Sequence, residues 1–170
     1  LTTFQISLLI TVWSIVTLTL EVPTGMLADK FSRRNLLIVG LLIRAVGFVF
    51  WIAGGFVNYA IGFILWGIKN CLHSGTLESF VYDELKTYNS EEQYEKVSGK
   101  MESVFSLGLM LSAVVGGWLA SYSFTLVLIA SITATLVSAI TLFTIKPVKA
   151  FKSTGETNYF SILKEAIRHI

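Results

Sequence analysis

GMLADKFSRR, Gly25 to Arg34, sets four charged side chains, Asp29, Lys30, Arg33 and Arg34, within six positions. On each side of it lies an apolar run long enough to cross a bilayer. A charged stretch in that setting reads as a turn at a membrane surface, and the rest of the chain follows from that reading. Composition agrees: 54% of the 170 residues are hydrophobic and 14% are charged, where a water-soluble domain carries about 25% charged residues. The net charge of +2 is small and no Lys/Arg-rich run with interleaved aromatics occurs, so no nucleic acid is implied as a partner. The single cysteine, Cys71, excludes an internal disulfide framework and a cysteine-based metal cluster. The partner that composition does imply is the lipid bilayer.

An α-helix needs about 20 apolar residues to span a hydrocarbon core of ~30 Å. Runs of that kind are predicted at residues 4–28, closing on Val22-Pro23-Thr24-Gly25, and at 35–52, 58–85, 96–120 and 124–145, the last stopped by Lys146-Pro147. The alternating strands of roughly 10 residues that build membrane β-barrels do not resemble these runs. The fold class is therefore all-α, a polytopic transmembrane helical bundle of five crossings. Lys30, Arg33 and Arg34 follow the first run, Lys86, Lys96 and Lys100 surround the third link, and Lys146, Lys149 and Lys152 follow the fifth run, whereas links 53–57 and 121–123 carry no Lys or Arg. Positive loops stay in the cytoplasm, so the chain is expected to enter from outside and finish inside, with one further helix upstream. Residues 147–170 read as a cytoplasmic linker with an amphipathic helix, because Phe160, Leu163, Ile167 and Ile170 recur at helical spacing.

Gly25 and Asp29 share a helical face, where the glycine permits close approach by a neighbouring helix. Asp29 then sits at the lipid boundary and calls for a helix N-terminus or an arginine, with Arg33 and Arg34 as candidates. An arginine–carboxylate pair can be made and broken as helices rock. The stretch resembles the loop signature of the major facilitator superfamily of secondary transporters, G-x-L-A-D-R-x-G-R-K; only Ser32, where the family has Gly, departs in kind. The resemblance covers the chain as helices 2 to 6 of an N-terminal six-helix half, with residues 1–146 forming the bundle. It implies a missing C-terminal half, a midplane site and movement by alternating access, with Gly25, Asp29, Lys30, Arg33 and Arg34 as a conformational latch. Glu21-Val22-Pro23-Thr24-Gly25, Ser74-Gly75-Thr76-Leu77-Glu78 and Tyr82-Asp83 are similar to bacterial drug-efflux and uncharacterised permease branches. The resemblance thus implies a multi-pass protein of the bacterial cell membrane that moves a small-molecule substrate, with efflux and proton coupling as the finer expectation. It calls for no cofactor. Two departures weaken antiport: the third run lacks the arginine of a loose R-x-x-x-G motif, and the fourth has Gly108, then Ser112 to Gly117, without a Gly-Pro.

Intramembrane charges point to function because insertion of Arg or Lys at a helix centre costs about 2.5–3.5 kcal/mol. Arg44 and Lys69 both lie deep in their runs and should face protein or a water-filled cavity. Lys69 suits either a substrate or proton pathway or a structural pair, and as a lysine it can exchange a proton where arginine cannot. Arg44 suits structure better. Glu21 and Glu78 could bind a proton or a cationic substrate, or pair with a neighbouring helix; Asp83, Glu84 and Glu102 are nearer the surface, solvated or paired with the loop arginines. His73, four residues after Lys69, is either a charge switch or a hydrogen-bonded packing residue. Trp13, Trp51 and Trp66 could line an aromatic site, although lipid-facing or interfacial placement suits each better. Gly108, Ser112 and Gly116, with Gly117 beside them, form a small-residue face for helix packing. An enzyme is not indicated: there is no HExxH, GxSxG or Walker pattern. A receptor or scaffold on a transporter-like body is the alternative of a different class.

Overall fold

A computed structural model describes residues 1–145, with Val22 and residues 25–30 as backbone alone. The predicted linker at 147–170 lies outside the described residues. Within them the chain is helical throughout, as α1 (Thr3–Lys30), α2 (Arg33–Ala53), α3 (Phe56–His73), α4 (Thr76–Thr87), a short 3-10 turn (Glu91–Gln93), α5 (Tyr94–Tyr122) and α6 (Phe124–Thr144). Helices at Thr3–Glu21, Arg33–Ala53, Glu91–Tyr122 and Phe124–Thr144 are long and apolar enough to cross a membrane. The third run differs from expectation: it is two helices, not one. Ser74 is extended (φ −60°, ψ 123°) and Gly75 is left-handed (φ 67°, ψ −22°), a conformation that only glycine adopts cheaply, so the helical path ends and restarts. The segment beyond the break, with Glu78, Asp83, Glu84 and Lys86, is too polar to prolong a crossing. Asn58, Lys69, Asn70 and His73 lower the hydropathy of α3, which is flanked by protein rather than by lipid alone.

α3 packs between α1 and α2, and α2 also packs against α6 and α4. Glycines set the closeness of these contacts. A Cβ on Gly47 would stand 3.4 Å from the Gly62 carbonyl, and one on Gly67 would stand 2.9 Å from Val16 Cγ1. The small-residue stripe predicted on α5 has no such neighbours: a Cβ on Gly108, Gly116 or Gly117 would meet nothing within 4 Å among the described residues. Ser112 and Gly116 instead line an open groove between α5 and α6. The tight approach therefore lies in α2 and α3, where four glycines are spaced less regularly.

The α2–α3 link is the pair Gly54-Gly55, both at positive φ (70° and 86°). Asn58 Nδ2 donates to the Gly54 carbonyl at 2.6 Å and Trp51 Nε1 to the Tyr59 carbonyl at 3.3 Å, which closes the turn. At the opposite end of the bundle lie the end of α1, the start of α2, α4 and the end of α6.

Candidate functional site

The ten-residue stretch forms the last turns of α1, the two-residue turn Phe31-Ser32 and the start of α2. Ser32 has φ −59° and ψ 122°, an extended conformation open to any residue. The serine therefore carries no backbone strain where the family pattern has glycine. Gly25, Asp29 and Lys30 lie in the turns of α1 described as backbone alone.

Arg33 and Arg34 diverge from adjacent positions to different helices. Arg33 Nη1 donates to Asp83 Oδ2 at 2.5 Å and to the Ser79 carbonyl at 2.7 Å, binding α2 to α4. The two charged side chains are 24% and 17% exposed, sheltered enough to matter and open enough to exchange with water. Arg34 Nη1 donates to the Ile145 carbonyl just beyond α6, and its guanidinium stands 5.6 Å from the Phe143 ring centroid. A cation at the carboxyl end of a helix also meets the negative pole of the helix dipole. One dipeptide thus fastens two helices to the start of α2. The pairing of a loop arginine with Asp83 is among the outcomes the sequence allowed.

Deeper in the bundle, Arg44 of α2 and Lys69 and His73 of α3 lie within electrostatic reach of one another. His73 Nε2 is 3.0 Å from the Leu37 carbonyl, and its ring lies over Gly40, whose added Cβ would stand 2.6 Å from His73 Cδ2. That is the geometry of a packing histidine seated on a glycine. Cys71 donates its thiol to the Thr17 carbonyl at 3.3 Å, joining α3 to α1. Glu21 is exposed on α1, and Glu78 is exposed in the first turn of α4, beyond the break from the helix that carries Lys69. Neither acid joins the Arg44–Lys69 group.

Trp13, Trp51 and Trp66, for which the sequence favours lipid-facing or interfacial placement over a shared aromatic site, are gathered by the fold. Trp66 is 5.7 Å from Trp13 and 5.9 Å from Trp51, centroid to centroid, and Phe63 and Phe48 extend the cluster at 5.2 Å and 5.6 Å from Trp51. Beside it a cavity of about 270 Å³ opens between α2, α3 and α6, lined by Arg44, Phe48, Trp51, Trp66, Val127 and Ser131 among others. Gly62 is what admits Trp51 against α3, since a Cβ there would fall on the indole. The available signal was the placement of Gly47 and Trp51 on α2 opposite Gly62 and Trp66 on α3.

Long apolar helices joined by short turns, with loop charge gathered at one end, define an integral, multi-pass membrane protein. The chain belongs to the Major Facilitator Superfamily, whose family model matches residues 1–170. It is also similar to the "Bacillibactin exporter" of Bacillus subtilis (strain 168), at 29% identity over 127 residues. That match covers 71% of this chain and 31% of the relative, so the chain spans under a third of that protein. No solved structure matches it.

Proposed function

We propose that this chain is the five-crossing part of a bacterial cell-membrane transporter that moves a small organic molecule by alternating access, with export as the direction. The observation that carries the reading is the clasp between Arg33, of the family's loop signature, and Asp83 of α4. It ties α2 to α4 across a short, partly hydrated contact, the kind that two conformations can make and break. Family membership supports transport in general, and the exporter among the relatives supports the outward direction. Loop charge supports a cytoplasmic position for the clasp. In this reading Gly25, Asp29, Lys30, Arg33 and Arg34 form the latch, Lys69 lies near the substrate or proton path, and no chemical step is catalysed. Lys69 on α3 is better placed for that path than Glu78 or Glu21, both of which are exposed outside the packed group.

The test is transport by the complete protein in everted membrane vesicles, with a panel of labelled small organic compounds and Asp29→Asn as the probe variant. The variant is expected to reach the membrane at nearly the normal level and to transport at a small fraction of the normal rate. Full turnover by Asp29→Asn would remove the latch from the mechanism. Absence of any energy-dependent movement across a broad panel would turn the reading towards a receptor or scaffold.

A further inference from the structure

We propose that the cavity between α2, α3 and α6 is a binding site for an aromatic anion, a carboxylate or phenolate of one or two rings, with Arg44 as its counter-ion. The site is contained within this bundle, and its occupancy does not depend on transport.

The first observation is an uncompensated cation. Arg44 lies eleven residues after the first residue of α2, roughly 16 Å along the helix, and its Nε is buried without a hydrogen-bond partner. Its guanidinium faces the Phe48 ring at 5.3 Å, a contact that accounts for one face of the group and for none of its N–H donors. Lys69 adds a second positive charge within reach. No carboxylate pairs with either among the described residues. The ion pair seen there commits Asp83 to Arg33, Glu21 is exposed on α1, and α6 carries no charged residue at all. A cation left unpaired at such depth is costly, so a negative group that reaches it gains both the Coulomb attraction and the unfilled hydrogen bonds.

The second observation is the shape and lining of the space. Arg44 borders the cavity itself, and Phe48, Trp51 and Trp66 line its walls. Val127 and Ser131 close the α6 side. At about 270 Å³ the volume lies just below the range typical of drug-sized ligands, which limits the occupant to one or two rings. A small inorganic anion would satisfy the charge and leave the aromatic walls without contacts. A neutral arene would do the reverse. An aromatic acid uses both.

The experiment is equilibrium binding of radiolabelled 1-naphthoate to the complete protein in lipid nanodiscs, with empty nanodiscs subtracted for partition into lipid. Saturable binding at one site per chain is expected, displaced by benzoate and resisted by the neutral isostere 1-naphthylmethanol. Arg44→Gln should weaken it by roughly tenfold or more, the loss expected for a charge-assisted hydrogen bond. Arg44→Lys should lie between, since it keeps the charge and loses the planar fork. Ser131→Leu fills the cavity from α6 without altering any charge and should abolish binding, which keeps the test decisive if Arg44→Gln folds poorly. The proposal is overturned by non-saturable binding, as when an acidic side chain elsewhere in the complete protein already occupies the cavity. It is equally overturned by equal competition from the neutral isostere, or by unchanged affinity in folded Arg44→Gln and Ser131→Leu. Transport of other compounds would survive any of these results, so failure here leaves the transporter reading standing.

Discussion

The Arg33–Asp83 contact gives the sharpest test, because the geometry ranks its variants in advance. Arg33 Nη1 reaches two acceptors, the Asp83 carboxylate and the Ser79 carbonyl. A hydrogen bond to a charged group contributes about 1.5–3 kcal/mol when sheltered, and an exposed ion pair about 0.2–1 kcal/mol. At 24% and 17% exposure the pair falls between these limits, at about 1–2 kcal/mol. Asp83→Asn removes the charge but keeps an acceptor oxygen and leaves the Ser79 contact, so it should cost about 1 kcal/mol. Arg33→Gln loses both contacts and strands a half-sheltered carboxylate, so it should cost about 2 kcal/mol. The assay is a double-mutant cycle on the complete protein, read by denaturant titration in mixed micelles. A coupling energy of about 1 kcal/mol is expected. Coupling within about 0.3 kcal/mol of zero would refute the clasp, as would the reverse order of the single variants.

Gly62→Ala should destabilise the protein by about 1–3 kcal/mol, because the new methyl falls on the Trp51 indole and 3.0 Å from the Gly47 carbonyl; an unchanged thermal midpoint would mean that α2 and α3 do not approach as described. Gly40→Ala should push the His73 ring off its site, so that adding His73→Ala costs less than it does alone; strict additivity in a thermal-shift series would dismiss that seat. Gly54→Ala should cost about 1–3 kcal/mol, since φ 70° with ψ 175° is a region reserved for glycine. Ser32→Gly, by contrast, should bring no gain, and a stabilised variant in the same assay would show that the turn does need a left-handed residue. In vesicle transport, Lys69→Ala is expected to change substrate affinity or the response to pH; if it changes neither, Lys69 is structural.

How far the sequence could be read depends on the range of the interaction concerned. Helix existence was legible because crossing a bilayer makes a local demand, an uninterrupted apolar run, and charge at the run ends supplies the punctuation. The break at Ser74-Gly75 was also local, yet apolar Phe80, Val81 and Leu85 beyond it extended the run and concealed the left-handed glycine. Asp83 was among the partners the sequence offered the loop arginines, but the choice between it, fifty residues from Arg33, and Asp29, four residues away, was not legible. Only the docking of α4 against α2 decides between them. The convergence of Trp13, Trp51 and Trp66 depends similarly on helix crossings that periodicity does not encode.

Glycine spacing carries the same lesson to a physical conclusion. The four-residue rhythm of Gly108, Ser112 and Gly116 is the signal that predicts close packing, yet α5 buries no residue among those described. Gly40, Gly47, Gly62 and Gly67 lack that rhythm and make the closest approaches. The difference lies in what each glycine faces. Opposite Gly40 is a histidine ring and opposite Gly62 an indole, so these two absent side chains each make room for one planar group, whereas Gly47 faces the Gly62 backbone and Gly67 faces Val16. A seat of this kind needs one glycine and one aromatic on facing helices and imposes no period on either. It also explains why Trp51 can turn inward beside Arg44, where the same opening that admits the indole leaves the aromatic-walled space between α2, α3 and α6.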